Sequence, residues 1–397
     1  MLLFHHIFVT NGIRERTMKL NKIYAAVLLS TLPLSSVYAA GLERSGQSIS
    51  AFLQPGNYAE AGISVLDPEV KSKELKADDM AESHYFVNAA IKVQATDKIS
   101  LGLIYDQPFG ADANYDVQGA VSMFSQGDES TKVNVETNNI TALIGYQPTE
   151  NWNIYAGPVW QTVEADISLR GLGYGATTPR SLSGYNIKVK EQDSFGWLAG
   201  FAYQIPEIAL KAALTYRSEI DHKTTSIETF STPMGDLPLL TADLHAVTPQ
   251  SVNLDFQTGV AKNTLAFANV RWVNWSQFAV TPAYLKSASG NNLIDYSDDQ
   301  WSANVGVGRK FSDKWSGSAS VGYDSGAGNP VTTLGPTEGY WNVGLGAQFS
   351  PAENYFIQAG VKYFWLGDAS AKAGANVLGK FEDNNAIGYG MKIGYRF

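Results

Sequence analysis

The chain of 397 residues contains no cysteine, which excludes a disulfide framework, a thiolate nucleophile and a thiolate metal site. Beyond its amino-terminal leader it also lacks any run of about 20 apolar residues, so it cannot cross a membrane as helices. Charged residues make up only 17% of the chain, and the net charge is −9. An acidic balance argues against nucleic acid as a partner.

Histidine is scarce as well, and the five histidines show no spacing typical of a metal site. A hydrolase needs a nucleophile and a base within hydrogen-bond reach, and the nearest such pair in sequence is Ser218 and His222. The sequence brings no third residue to orient them, so we interpret the pair as a coincidence. We therefore predict no enzyme activity, no catalytic residue, no cofactor and no metal site.

The amino-terminal leader has the pattern of a secretory signal peptide. Lys19 and Lys22 precede an apolar stretch at 23–34, and a small-residue cleavage pattern follows at 37–39. Met18 directly precedes the basic residues, so we expect translation to start there. Residues 1–39 are predicted to be removed, and the leader is excluded from reasoning about the fold.

Glycine and aromatic residues are abundant, with 37 glycines, 20 tyrosines, 18 phenylalanines and 9 tryptophans. At 386–397 apolar or aromatic residues alternate with glycine and cations, and the apolar row ends at Phe397. Successive side chains of a strand point to opposite faces, so this strand has one apolar and one small or charged face. It is typical of the closing strand of a transmembrane β-barrel, in which lipid-facing and lumen-facing residues alternate.

Thirteen further segments alternate in the same way, and short and long connections follow one another between them. The predicted strands are 57–71, 84–95, 98–118, 133–147, 152–165, 194–204, 208–220, 247–261, 264–276, 299–311, 314–324, 340–349, 354–366 and 386–397. Short turns at one end and long loops at the other are typical of an even-stranded outer-membrane barrel, whereas a soluble sandwich would not sort its loops by length. We therefore predict an all-β fold, a fourteen-stranded antiparallel transmembrane barrel over 57–397.

Three motifs, in order along the chain, resemble those of the long-chain fatty acid transporter (FadL) family. They are DPEV at 67–70, LTYRSE at 214–219 and WSQF at 275–278. The resemblance runs from about residue 57 to the last residue and includes the strand number. It implies an outer-membrane channel for passive uptake of long-chain fatty acids or other hydrophobic compounds.

The amino terminus departs from that family, whose members usually carry a plug of some forty residues, called a hatch. Here only residues 40–56 precede the first strand, and they contain no NPA-type motif. Phe52 and Leu53 are the candidates for a small lumenal plug. The alternative is a flexible remnant of the leader.

The third predicted strand contains Pro108, Phe109 and Gly110. Proline cannot donate to a ladder, and glycine within a strand often marks a bulge or kink. The resemblance assigns a kink at this place to a lateral opening from the lumen to lipid. The alternative is that the strand ends at Gln107 and a turn follows.

A fatty acid needs an apolar slot and a cation for its carboxylate. Residues that face the lumen by parity supply both. The apolar candidates are Phe86, Leu198, Phe267, Phe356 and Phe364, and the cationic candidates are Arg217, Arg271 and Lys362. Inward charges in a barrel are often paired, so the alternative for each cation is a structural network.

Together these features predict a bacterial outer-membrane protein, most simply a monomer, whose partners are hydrophobic small molecules and outer-membrane lipid. A general diffusion porin remains an alternative, because the hatch is short. An adhesin or receptor barrel that acts through its loops, especially 166–193 and 221–246, is a second alternative.

Overall fold

The computed structural model describes residues 42–119, 121–178 and 181–397, and these form a closed antiparallel β-barrel of fourteen strands. The first strand pairs with the last, with Tyr58 opposite Arg396 and Leu66 opposite Gly388. This pairing closes the sheet on itself and satisfies the backbone of both terminal strands. The expected signal peptide lies outside the described residues.

Three of the fourteen strands are built from two segments. The strands are β1 Tyr58–Glu69, β2 His84–Gln94, β3 Ile99–Asp106 with Gly110–Asn114, β4 Lys132–Tyr146, β5 Trp152–Ser168, β6 Tyr185–Ile205, β7 Leu210–Arg217 with Ile220–Thr232, β8 Gly235–Thr248 with Ser251–Ala261, β9 Thr264–Val273, β10 Gln300–Lys310, β11 Trp315–Asp324, β12 Tyr340–Ala352, β13 Tyr355–Leu366 and β14 Asn385–Arg396. Each strand pairs with its neighbours in sequence.

Short elements fold over one end of the barrel. They are α1 Ala283–Ser289, the 3-10 turns Leu172–Tyr174 and Trp275–Gln277, and the short strands Ser125–Gln126, Glu129–Ser130, Ala279–Val280, Ile294–Asp295, Val331–Thr332, Ala369–Ala373 and Asn376–Phe381. A third 3-10 turn, Pro206–Ile208, lies in a turn at the other end of the barrel. No helix in the described part of the chain is long and apolar enough to cross a membrane.

The outer face of the barrel carries an apolar band bordered by aromatic side chains. At one border Trp315 packs against Phe349, and at the other Tyr323 packs against Trp341, each with ring centroids 4.8 Å apart. Between the borders the outward residues are aliphatic and exposed, such as Leu345. Two aromatic girdles around an apolar band are what a bilayer requires of a barrel.

Two segments predicted as loops contain strand, so that part of the prediction was wrong: 221–246 is almost entirely strand, and 166–193 is strand at its two ends. β6 begins at Tyr185, and β7 and β8 continue as a hairpin to Thr232 and Gly235. Above the apolar band the pattern inverts. Val189 is buried inside the barrel and Lys188 is exposed outside. The sequence reasoning searched for strands with apolar residues on the outward face. It could not detect strand parts that extend beyond the membrane, because their outward residues are charged.

The described part of the amino-terminal segment, residues 42–56, lies inside the barrel. Phe52 is 1% exposed and packs edge-on against Tyr155 with centroids 5.9 Å apart. Lys211 Nζ donates to the Leu53 carbonyl at 2.7 Å, and Lys92 Nζ donates to the Gly56 carbonyl at 2.8 Å. The segment therefore occupies the lumen as an ordered plug.

Candidate functional site

An apolar cavity with an empty volume of about 670 Å³ lies inside the upper wall, against β3 to β6 and β8. The lining includes Leu42, Phe109, Val135, Val163, Val189, Leu244, Trp275 and Phe278. Among the residues that the structure describes, no charged side chain lines it, so its surface suits an apolar ligand.

The roof of the cavity comes from the connection after β9. Trp275 is fully buried and packs edge-on against Phe109 and Phe278, with centroid distances of 5.6 and 5.3 Å. Its indole Nε1 donates to Gln300 Oε1 at 2.6 Å, which fixes the ring. Trp275 and Phe278 belong to the WSQF motif, so the motif builds the roof of this cavity.

The third strand is interrupted beside the cavity, as its proline and glycine suggested. Asp106 pairs with Asn139 of β4 and Gly110 with Glu136, so four steps along β3 match three along β4. The extra residue is a β-bulge, which shifts the inward face of β3 from even-numbered to odd-numbered positions. The strand then resumes at Gly110 and does not end at Gln107.

The bulge separates β3 from its other neighbour, β2. Ladder pairing stops at Ala89 opposite Tyr105, and the next bridge joins Ala81 to Ala113. Both pairs keep the same register, yet beyond the bulge opposite residues such as Tyr85 and Phe109 point to opposite faces, which prevents a regular ladder. We call this stretch, 82–88 against 106–112, the first seam.

The amino-terminal segment covers the first seam from the inside. The Arg44 amide donates to the Pro108 carbonyl, and the Gly110 amide donates to the Leu42 carbonyl, each at 2.7 Å. Ser45 Oγ donates to Asp106 Oδ2 at 2.8 Å. Backbone groups that a bulge frees from the ladder are thus satisfied by the plug.

Two predicted cations anchor the same segment. Arg271 forms a buried ion pair with Glu43, and its Nη2 donates to Gln47 Oε1 at 2.9 Å. Arg217 donates to the Gln47 carbonyl. Both arginines therefore contact the amino-terminal segment, Arg217 also lines the chamber described next, and their contact with ligand stays a prediction.

A polar chamber lies below the cavity, between the plug and strands β9 to β14, with an empty volume of about 1200 Å³. Lys362, the third predicted cation, lines it, and so does Lys392, whose Nζ is 3.2 Å from Glu60. Inner positions of β11 and β12 such as Ser320 and Gly344 leave the space open. The lining also includes apolar side chains, so that three of the predicted ligand residues, Arg217, Phe267 and Lys362, meet here.

The predicted apolar residues are divided among several places. Phe86 and Phe364 belong to the large apolar cluster of the upper barrel, and Leu198 packs with the plug. Phe356 packs with Tyr58 near the lower end, and Phe267 lines the polar chamber. None of these five lines the apolar cavity, and their contact with ligand stays a prediction.

The cavity residues that sequence reasoning missed lie on the inverted, upper parts of strands. Ile187 and Val189 alternate with exposed Lys188 and Lys190. That alternation, apolar inside and charged outside, is the signal that would have identified them. Leu244 was missed for the same reason, because it was placed in a loop.

The connection between β11 and β12, residues 325–339, packs into the upper apolar cluster through Ala327 and Leu334. It also holds Glu338, whose Oε1 accepts a 2.9 Å hydrogen bond from the Gly328 amide. Burial raises the pKa of the Glu338 carboxyl to about 7, against the effect of that hydrogen bond, and nearby Asp298 raises the pKa further.

The profile of the family described as outer membrane protein transport protein (OMPP1/FadL/TodX) matches residues 44–397. The chain belongs to this family. Its members are outer-membrane transporters of hydrophobic compounds, so the outer membrane is the location of this OMPP1/FadL/TodX protein. The family is one of transport channels and not of enzymes. A search of curated proteins gave no match.

Solved structures of similar fold agree with the family. A FadL homologue from Pseudomonas aeruginosa has 17% identity and a TM-score of 0.67, over 86% of this chain and 91% of that one. The toluene transporter TodX of Pseudomonas putida has 13% identity and a TM-score of 0.64, over 91% and 97%. At these identities the likeness establishes the fold alone, which includes the closed fourteen-stranded barrel.

Proposed function

We propose that this OMPP1/FadL/TodX protein takes up hydrophobic compounds passively, holds them in the apolar cavity and releases them sideways through the first seam into the outer leaflet. The observation that carries the proposal is Phe109, which lines the cavity and also lies in the bulge of β3. One side chain therefore separates the cavity from the interrupted wall. Transfer of apolar surface from water to protein and then to lipid supplies the driving force.

Release requires the amino-terminal segment to move, because Leu42 is part of the cavity lining and its carbonyl holds Gly110. The lower route is less suitable for an apolar solute. It leads through the polar chamber, lined by Lys362 and Lys392, where apolar surface would be returned to water.

The lining bears on the kind of ligand. The polar side-chain groups of its described lining are the hydroxyls of Thr137 and Thr248 and the indole nitrogen of Trp275. None of these described residues offers a cation to a carboxylate while Arg271 is paired with Glu43. An uncharged hydrocarbon therefore matches the cavity in this conformation. A fatty acid remains the second candidate, because Arg271 and Arg217 lie below Leu42 and would be reached when the segment moves.

The test uses radiolabelled oleate and toluene and barrels reconstituted in liposomes. The chain has no cysteine, so a single engineered pair can lock the first seam. Val87 and Gln107 face each other across it, with the Val87 amide donating to Gln107 Oε1 at 3.0 Å. We expect the oxidised Val87→Cys/Gln107→Cys variant to lose the part of the uptake that passes the first seam and to regain it on reduction.

The matched control is a disulfide at Ile91 and Leu103, a regular pair of the same two strands below the seam. It should leave uptake unchanged. Uptake by the oxidised variant that equals that of the parent would contradict release through the first seam. Steady ion conductance of the wild-type barrel without uptake of either probe would favour the porin, and loss of activity only on loop deletion would favour a receptor.

A further inference from the structure

A second interruption of the wall lies between β6 and β7. Ladder pairing stops at Leu198 opposite Arg217 and resumes at Val189 opposite Ser226, without any change of register. Between these pairs lie 190–197 of β6 and 218–225 of β7. We call this stretch the second seam.

The second seam has the same physical origin as the first. β6 has a bulge opposite β5, where Val163 pairs with Gln192 but Ala165 pairs with Val189. β7 changes its inward face elsewhere, between Arg217 and Ile220, which are both buried. Because the two irregularities are seven residues apart, opposite residues between them point to opposite faces. A regular ladder is therefore prevented, as it is between β2 and β3.

Side chains replace the lost ladder bonds. Ser194 Oγ donates to the Asp221 carbonyl at 2.7 Å, and Thr224 Oγ1 donates to the Lys190 carbonyl at 2.8 Å. At the lower end the Trp197 amide donates to Ser218 Oγ at 3.0 Å. The first seam has the same arrangement in the Gln107 side chain, which accepts from the Val87 amide. Such bonds can break without disturbing a ladder on either side.

The apolar cavity has lining residues on both sides of the second seam. Val189 lines it from β6, and Ala246 and Thr248 line it from β8. The latter two pair directly with His222 and Ile220 of β7. Ile220 itself packs in the apolar cluster around the plug. An added Cβ on Gly196 would lie 2.6 Å from Ile220 Cγ1, which shows that Ile220 packs against the backbone at the lower end of the seam. Ile220 therefore closes the lower end from inside.

The outer side of the second seam lies at the polar border of the membrane. Outward residues of β6 are aromatic up to Phe195, which is 70% exposed, and charged from Asp193 upwards. The first seam instead has Val87 and Tyr85 on its outer side, and both are exposed to lipid. The two seams thus border one cavity but face different depths of the outer leaflet.

We propose that the second seam is a further lateral passage, through which apolar solutes dissolved at the polar border of the outer leaflet pass directly into the cavity. The passage rests on the proposed function, because it takes the cavity as the ligand site. It requires the Ile220 side chain to rotate and the bonds of Ser194 and Thr224 to open. The amino-terminal segment keeps its contacts at the first seam, so a ligand can be admitted while that seam is covered.

The experiment fills each seam separately in the folded barrel. Single cysteines at Ser194 and at Gln107 are labelled with a bulky aromatic maleimide after folding, so the label does not affect assembly. A labelled Phe201→Cys variant is the control, since Phe201 faces lipid below the second seam and pairs regularly with Leu214. Uptake of radiolabelled toluene and oleate into liposomes is measured for each single variant. It is also measured for a double variant that carries the maleimide at both Ser194 and Gln107.

The reconstituted barrel exposes both seams to the same bilayer, so each seam serves as a route. Each single label is expected to remove part of the uptake, and the two labels together to remove all of it. Replacing Ile220→Ala should raise uptake when Gln107→Cys is labelled. A label at Ser194 that equals the Phe201 control, or complete loss from the Gln107 label alone, overturns the second passage while leaving the proposed function intact. A wild-type barrel that takes up neither probe overturns both.

Discussion

The two sides of the lumen are built from strands with the same alternation, but they differ in the residues that face inward. Beside β4 to β6 the upper inward positions are branched and apolar, such as Val135 and Val189, and they enclose a cavity without charge. Beside β10 to β14 the inward positions are small or polar, such as Ser320 and Gly344, and they enclose a chamber with lysines.

The difference shows that alternation alone determines the barrel, whereas the size and polarity of the inward residues determine what the barrel can hold. Branched side chains leave a dry space that matches an apolar solute. Glycine and serine leave a wider space, lined in part by charged side chains. The plug separates the two, and its contacts are apolar on one side, through Phe52, and polar on the other.

The largest expected effect comes from filling one space and not the other. Ala165→Trp places a large ring in the apolar cavity and should lower uptake at least about tenfold, the change that about 1.4 kcal/mol of lost binding produces. Ser320→Trp fills the polar chamber and should leave uptake of toluene unchanged. Equal losses in the two variants, measured in liposomes, would abolish the functional distinction between the spaces.

The next effect concerns the attachment of the plug. Glu43→Ala leaves Arg271 buried without its anion, a change that costs about 3–5 kcal/mol. We expect the segment to detach, so that a cysteine at Ser45 reacts with maleimide much faster than in the parent. Glu60→Ala, which removes the partner of Lys392 in the polar chamber, should leave that cysteine protected. Equal reactivity in the two variants would show that Glu43 does not hold the segment.

A smaller effect is the difference in stability expected when alanine replaces either of two inward glycines, Gly102 and Gly344. A Cβ at Gly102 would lie 2.6 Å from the Phe52 ring, so Gly102→Ala should displace the ring and destabilise the barrel by about 1–3 kcal/mol. A Cβ at Gly344 would meet only the flexible side chains of Ser320 and Lys362, and Gly344→Ala should change stability by less than about 0.5 kcal/mol. The denaturant midpoints of the two variants measure which substitution destabilises the barrel more. A larger loss of stability in Gly344→Ala than in Gly102→Ala would contradict the prediction.

The smallest effect is a pH dependence of the connection above the cavity. Burial raises the pKa of Glu338 to about 7, so the folded connection binds more protons than the unfolded one between its ordinary value near 4.5 and 7. Its stability should therefore fall as pH rises through that window and stay low above it. Hydrogen exchange of 325–339, corrected for intrinsic rates, measures this. In Glu338→Gln the stability of the connection should not depend on pH in this window. A pH dependence equal to that of the parent would show that another group causes it.

The sequence predicted the strand number, the closing strand and the interrupted third strand, because each depends on local alternation or on proline and glycine. It could not predict the cavity. Its lining comes from upper strand parts such as the one around Val189 and from Trp275, which only the closed barrel brings together. The register between strands is also a property of strand pairs. Nothing in the sequence of β6 or of β7 alone therefore indicates that opposite residues of these two strands point to opposite faces.

The place of the plug has a consequence for biogenesis. Residues 42–56 lead directly into β1, and β1 forms the closing pair with β14. Phe52 is enclosed by the inner face of a wall that is complete only after the final strand has been added. Closure with the segment outside would require it to thread back through the lower mouth, past the Lys92 and Lys211 contacts. Assembly in the outer membrane is therefore simplest if the growing sheet curls around a segment already placed.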